Sequence, residues 1–190
     1  MSIRFLAGGA CAVALLASVC LTPAAAHPYD QYIRGRSFFG ALFGPSIARM
    51  VVSYPTNQKA GTIVISSAQR RLYLVLGNGQ ALSYAIAVGA AGYAWTGTSQ
   101  VTDKREWPAW TPPEEMLQRR PDLPRHMAGG PDNPMGARAI YLGSSLYRIH
   151  GSNEPDKIGE AVSSGCIRMT NEDVIDLYNR VQMGATVIVQ

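Results

Sequence analysis

The chain has 190 residues, 17 Lys+Arg against 13 Asp+Glu, a formal charge of +4 and an apolar content of 47%. That length suits one domain with a sizeable core. The mild positive charge comes without a basic run or aromatic–basic interleaving, which excludes a nucleic-acid binder and fits work near an anionic polymer.

Residues 1–26 read as a secretory leader. Arg4 gives a short basic start, residues 5–21 are apolar or small, and Pro23-Ala24-Ala25-Ala26 offers cleavage after Ala26. The apolar run falls short of the roughly 20 residues that a spanning helix wants. A cleaved signal is therefore expected over a retained anchor, with no stable membrane insertion afterwards and a periplasmic product. Bulky Val19 disfavours lipidation at Cys20. Cleavage removes Arg4, lowering the charge from +4 to +3, and takes Cys11 and Cys20 with it. Cys166 then stands alone. Structural cysteines outside the cytoplasm usually pair, so an unpaired one is a candidate reactive thiol. The competing reading is a small buried hydrophobe.

Residues 27–60 form an N-terminal arm. Phe38-Phe39-Gly40 and Leu42-Phe43-Gly44-Pro45 are too aromatic for a pure linker and too rich in Gly and Pro for one regular element. The arm is expected to pack on the domain or on a partner. His27, the new first residue, has no second ligand at useful spacing and is expected to face solvent.

Residues 61–190 read as the folded domain. The β-branched run at 62–66 and the largely apolar runs at 71–76 and 81–88 predict strands, with Gly77-Asn78-Gly79-Gln80 as a hairpin turn. Residues 97–132 break the pattern. Pro112 and Pro113 open a short helix, Glu114 and Glu115 suit its positive end, and Pro121 stops it. The remainder reads as an irregular excursion. It is either a lid over a binding site or a packed loop with Trp107 and Trp110 in the core. His126 within it reads as an ordinary surface residue. Strands resume at 137–142 and 146–150, which puts His150 at a strand end with Gly151 opening a loop. Thr170 is an N-cap with Asp173 three residues on. Val174, Leu177, Tyr178 and Val181 form the core stripe of a helix over 171–181, and 186–189 is a last strand. The fold expected is mostly β, sandwich- or barrel-like, with a few short helices, one of them following the cysteine loop.

Two pieces carry chemistry. One is His150-Gly151; the other, sixteen positions after the histidine, is Cys166 within Ser163-Ser164-Gly165-Cys166-Ile167-Arg168. A thiolate is the nucleophilic form of cysteine, and a nearby imidazole can generate it and carry its proton. Gly165 permits a tight turn and close substrate approach. Arg168 offers a planar cation for a carboxylate. The helix that follows brings free amides and a positive end near the sulfur, and the amides of Gly165 and Cys166 are candidates to hold an oxyanion. The pattern points to cysteine acyl transfer. A thiol redox protein is disfavoured because no Cys-x-x-Cys occurs.

The whole string, His150-Gly151, a spacer, then Ser164-Gly165-Cys166-Ile167-Arg168-Met169, resembles the L,D-transpeptidase catalytic domain, or YkuD domain, over residues 61–190. Trp107-Pro108 with Trp110-Thr111-Pro112-Pro113, and Gly130-Pro131-Asp132-Asn133-Pro134-Met135-Gly136, resemble its proteobacterial branch. Many relatives carry histidine where this chain has Ser164. The resemblance implies Cys166 as nucleophile, His150 as proton carrier, the Gly151 carbonyl as third member, and Arg168, Ser164 and Gly165 at the substrate. It implies peptidoglycan stem peptides as donors and no metal or organic cofactor. The acceptor is left open between a stem-peptide amine, a lysine of an outer-membrane lipoprotein, and water, which would make the protein a carboxypeptidase. A non-catalytic wall-binding module is the alternative of a different class.

Overall fold

The computed structural model describes residues 49–190; the leader over 1–26, His27 and the aromatic part of the arm lie outside the described residues. Eleven strands and two helices follow in order: β1 (Met50–Ser53), β2 (Ile63–Ser66), β3 (Arg71–Gly77), β4 (Gln80–Ala85), β5 (Val88–Gly89), β6 (Gly97–Glu106), α1 (Glu114–Arg119), β7 (Arg138–Leu142), β8 (Arg148–His150), β9 (Ala161–Ser163), β10 (Ile167–Arg168), α2 (Asn171–Arg180) and β11 (Thr186–Val189). Nine strands share one sheet, in the order β1-β4-β3-β2-β11-β6-β7-β8-β10, and β5 pairs with β9 in a small second sheet.

Sequence patterning accounts for much of this. Ile63, Val64 and Ile65 are all buried, which is what a strand covered on both faces wants. The β3–β4 hairpin turns through Asn78 and Gly79, at φ 52° and 70°, the positive pair that matches strand twist. In α2, the Thr170 hydroxyl accepts the Asp173 amide at 3.2 Å. Val174 and Leu177 are fully buried, Val181 nearly so, and Tyr178 packs at the margin of the same core. Lys104 closes the other end of α2, donating from Nζ to the carbonyls of Tyr178 and Val181 at 2.5 and 2.7 Å.

Two expectations need correction. The irregular stretch at 97–132 begins with the longest strand, β6. Its residues, Gly-Thr-Ser-Gln-Val-Thr-Asp-Lys-Arg-Glu, show no apolar alternation. Ladder bonds hold it: residues 97–100 pair with β11 and residues 101–106 with β7, with a bulge between Val101 and Asp103. The run at 81–88 is not one strand. It leaves β4 after Ala85 and re-pairs as β5 with β9. The arm's last part belongs to the domain, because β1 pairs antiparallel with β4. Arg49, just before β1, reaches Asp173 at 3.2 Å and Asp176 at 3.6 Å on α2, and Tyr54 stacks on Tyr73 at 4.7 Å.

The Trp- and Pro-rich excursion divides its tryptophans. Trp107 is buried against Ala137, with Ile175 of α2 beside them. Trp110 is half-buried and bonds through its backbone to Met127 in both directions at 2.8 Å. Buried Asn133 ties the base of this excursion together: its amide nitrogen donates to the carbonyls of Met127 and Ala128, and its oxygen accepts the Met135 amide at 2.8 Å. His126 is exposed, with Nδ1 3.2 Å from the Thr111 hydroxyl.

Candidate active site

His150 and Cys166 enter one cleft because β8 and β10 are parallel neighbours. Ile149 pairs with Ile167 and His150 with Arg168, so Cys166 immediately precedes the strand lying against the histidine's own. Neighbouring strands run about 4.8 Å apart. Both side chains line one cleft of about 870 Å³, together with Ser164, Arg168, Arg148 and residues of the Trp–Pro excursion, among them Trp110, Met116 and Arg119. The excursion therefore forms one wall of the site.

His150 is nearly sealed from solvent, at 4% exposure. Its Nδ1 donates to the Gly151 carbonyl at 2.6 Å. A carbonyl can only accept, so this bond places the ring proton on Nδ1 and leaves the lone pair on Nε2. Burial first, and then the Arg168 guanidinium with Arg148 in support, push the imidazole's pKa from 6.5 down to about 3, against the opposing pull of the Gly151 bond. The ring is neutral at physiological pH.

Gly151 has a second function that its carbonyl role did not predict. A side chain there would meet Asn171 Oδ1 at 2.2 Å and the Ala137 amide nitrogen at 3.0 Å. Asn171, the first residue of α2, accepts the Ala137 amide at 2.8 Å and donates to the Ser152 carbonyl at 3.0 Å. It thus ties the start of α2 to the segments on either side of the histidine strand. Sequence reading passed over Asn171; its position directly after the N-cap was the available signal.

The cysteine turn is built the same way. Gly165 adopts φ 106° and is buried, and a Cβ there would sit 2.6 Å from the Tyr147 ring. Trp95 stacks on Tyr147 at 4.5 Å and donates from its indole to the Gly165 carbonyl at 3.0 Å. The Gly165 amide donates to the Ser163 hydroxyl at 3.2 Å, and that hydroxyl donates to the Cys166 carbonyl at 2.5 Å. The Gly165 amide is thus engaged within the turn, which leaves the Cys166 amide as the candidate oxyanion donor. Cys166 is half-buried and unpaired, and its Sγ donates weakly to the Leu146 carbonyl at 3.8 Å. Helix α2 starts beyond β10, five residues after Cys166, with Glu172 and Asp173 in its first turn. Ser164 is exposed on the cleft rim. Arg168 is about a quarter exposed and lies 3.5 Å from the Glu154 carboxylate. Among the described residues no group of three or more His, Cys, Asp or Glu side chains is placed to hold a metal, and no helix is long and apolar enough to cross a membrane.

A neutral imidazole at one strand's end and a thiol just ahead of the neighbouring strand share this cleft. Residues 60–189 match the YkuD model, the L,D-transpeptidase catalytic domain, and the chain belongs to that family. Its similarities to particular proteins agree. The probable L,D-transpeptidases ErfK/SrfK and YbiS of Escherichia coli K12 are each 40% identical over 134 residues, which is 66% of this chain and 42% and 43% of theirs. The chain spans less than half the length of these relatives. A Brucella melitensis crystal structure described as a probable carnitine operon oxidoreductase is 43% identical, with 80% of this chain and 98% of that one covered, at a TM-score of 0.52. An L,D-transpeptidase from Mycobacterium smegmatis shares the fold at a TM-score of 0.55 and 16% identity, over 68% of this chain and 58% of that one.

Proposed function

We propose that this chain is a peptidoglycan L,D-transpeptidase of the bacterial envelope, exported by residues 1–26, working through Cys166 and His150. The observation that carries this reading is the pairing of β8 with β10, which brings an imidazole into the same cleft as an unpaired thiol.

In the first half-reaction, His150 Nε2 takes the Cys166 proton, and the thiolate attacks the carbonyl joining the stem peptide's diamino acid to its terminal D-alanine. The C–S bond forms, the C–N bond breaks, and D-alanine leaves with the proton returned by His150. In the second, an amine attacks the thioester, the C–S bond breaks, and His150 takes the amine's proton as the thiolate is released. The Gly151 carbonyl holds the ring in the required tautomer. The Cys166 amide is the oxyanion donor, worth about 3 kcal/mol where such donors have been removed elsewhere. Arg168 faces a substrate carboxylate once Glu154, which is exposed, gives way. Ser164 and Gly165 shape the cleft beside the sulfur. The acceptor is an amine of a second stem peptide or of an envelope protein.

The oxidoreductase description of the Brucella chain does not transfer. The sequence has no Cys-x-x-Cys, and Cys166 is the only cysteine after the leader. Purified protein incubated with stem tetrapeptides and analysed by mass spectrometry tests the reading. A thioester on Cys166 and new 3–3 linked dimers are expected. Trimmed monomers alone would make water the acceptor, and an unmodified Cys166 with unchanged peptides would remove the assignment.

A further inference from the structure

Four arginines line the cleft, Arg119, Arg120, Arg148 and Arg168, against three carboxylates, Glu114, Glu115 and Glu154. That balance suits a donor arriving with negative charge. It is unfavourable for the second substrate. An alkyl amine is almost wholly an ammonium ion at neutral pH, and its nitrogen turns positive again as it bonds to a carbonyl carbon. Guanidinium groups repel such a charge, and only a carboxylate near the reacting atoms offsets them.

The three carboxylates are not equivalent. Glu114 and Glu115 belong to the first turn of α1, in the excursion wall. Glu154 follows His150 by four residues, on the loop that leaves β8. Its backbone is pinned: the Glu154 amide donates to the Ser152 hydroxyl at 3.0 Å, and Asn153 beside it donates to the Asp132 carbonyl at 2.9 Å. Its side chain is not. The Glu154 side chain is 59% exposed and meets Arg168 at 3.5 Å, the outer limit of a hydrogen bond. Arg168 is in turn the ladder partner of His150, on the same face of the sheet, and its charge acts on the ring. The run from His150 through Arg168 to Glu154 places a movable carboxylate next but one to the base.

The chemistry of exchange says which nitrogen it would meet. The entering amine bonds to the carbonyl from the place that the leaving amine vacated, because the two steps are the reverse of each other. Both nitrogens exchange their proton with His150, so both stand on its side of the sulfur. In the first half-reaction the leaving residue's carboxylate takes Arg168 and displaces Glu154. Once that residue departs, the thioester faces Glu154 again.

We propose that Glu154 is a specificity-determining residue for the acceptor: it receives the positively charged nitrogen of an incoming alkyl amine and so turns the thioester towards transfer and away from hydrolysis. The inference rests on the acyl-transfer reading and deepens it. The ammonium ion gives one proton to solvent, and the amine lone pair attacks. The C–N bond forms, the C–S bond breaks, and the second proton passes to His150, which returns it to the sulfur. Glu154 stabilises the charge on nitrogen on arrival and during attack. Water carries no such charge and gains nothing from it.

Partition of one acyl-enzyme between two acceptors tests this. The proteins are given a stem tetrapeptide as donor and Nα-acetyl-lysine amide as acceptor, which offers one amine and no carboxylate. Adduct and trimmed tripeptide are measured by mass spectrometry. Glu154→Gln is expected to lower the adduct-to-tripeptide ratio about fivefold, the reach of an exposed ion pair, without slowing acylation of Cys166. Glu154→Asp is expected to keep part of the ratio. An unchanged ratio in Glu154→Gln overturns the proposal, and so does a parent that yields tripeptide alone. A parallel fall of adduct and tripeptide also overturns it, by marking a structural role. A parent that never acylates Cys166 removes the catalytic reading itself, so the two failures are told apart.

Discussion

At the scale of the residue, the sulfur and the ring make separable predictions. Cys166→Ala is expected to abolish turnover and to prevent labelling by an acylating β-lactam, read by intact mass; labelling that persists would place the nucleophile elsewhere. His150→Ala is expected to keep the fold and lose a factor of about 10² or more in kcat, the usual contribution of a positioned base. His150 also couples folding to pH. Its folded pKa lies near 3, below the unfolded value of 6.5. The unfolded chain therefore binds the extra proton below pH 6.5, and the stability present above that pH is lost as the solution is acidified towards 3. The slope approaches about 1.4 kcal/mol per pH unit well below 6.5. Between pH 6.5 and 5, above the range of ordinary carboxylates, melting temperature should fall in the wild type and stay flatter in His150→Gln. Equal slopes in the two proteins would mean that the ring is not held neutral by the fold.

The candidate reacting residues were legible in the sequence because cysteine and histidine announce chemistry by type, and a chain whose one cysteine beyond residue 26 is Cys166 draws attention to it. Their supports were not. Asn171 and Trp95 act through bonds to backbone atoms of segments far away in the chain, Asn171 to Ala137 and Ser152 and Trp95 to Gly165. No periodicity or spacing encodes such a bond. The engagement of the Gly165 amide by Ser163 was hidden for the same reason, although both residues lay within the motif.

At the scale of the element, the cysteine turn depends on one glycine. Gly165→Ala would force a Cβ to within 2.6 Å of the Tyr147 ring at a φ of 106°. Holding a non-glycine residue there costs on the order of 1–3 kcal/mol. Because the turn carries the sulfur, kcat/KM is expected to drop further than stability does; an active Gly165→Ala protein would show that the Trp95–Tyr147 stack can yield. Asn171→Ala strands the Ala137 amide and the Ser152 carbonyl, at about 1–3 kcal/mol. Its urea midpoint should fall accordingly. Elements rich in β-branched residues, such as β2 and β3, were readable because their side chains face a core. β6 was not. Its polar residues are mostly exposed or half-exposed, and the strand exists because β11 and β7 supply ladder partners from remote parts of the sequence.

At the scale of the molecule, residues ahead of position 61 add to the sheet. A chain starting there lacks β1, the stack of Tyr54 on Tyr73, and the Arg49 bonds to α2. Comparison of residues 49–190 with 61–190 by chemical denaturation is expected to show a loss of roughly 2–4 kcal/mol, from several edge bonds and cross-strand pairs together. Equal midpoints would return β1 to the status of a dispensable arm. The four arginines of the cleft give the molecule a second collective property. Binding to an anionic wall polymer should weaken as salt is raised through the range where surface charges are screened, above ~0.1 M.

The position of β11 has a further consequence. The last of the eleven strands in chain order is wedged between β2, from the early part of the described chain, and β6, from its middle. Until residues 186–189 have been made, the strand that joins β2 to β6 is missing, and the two flanks pair only through the Ala87–Arg168 bridge and the β5–β9 pair. Closure at the end of synthesis, through contacts so distant along the chain, favours slow assembly. The proposal that residues 1–26 direct export fits this order, because a sheet that closes late leaves the chain threadable for longer.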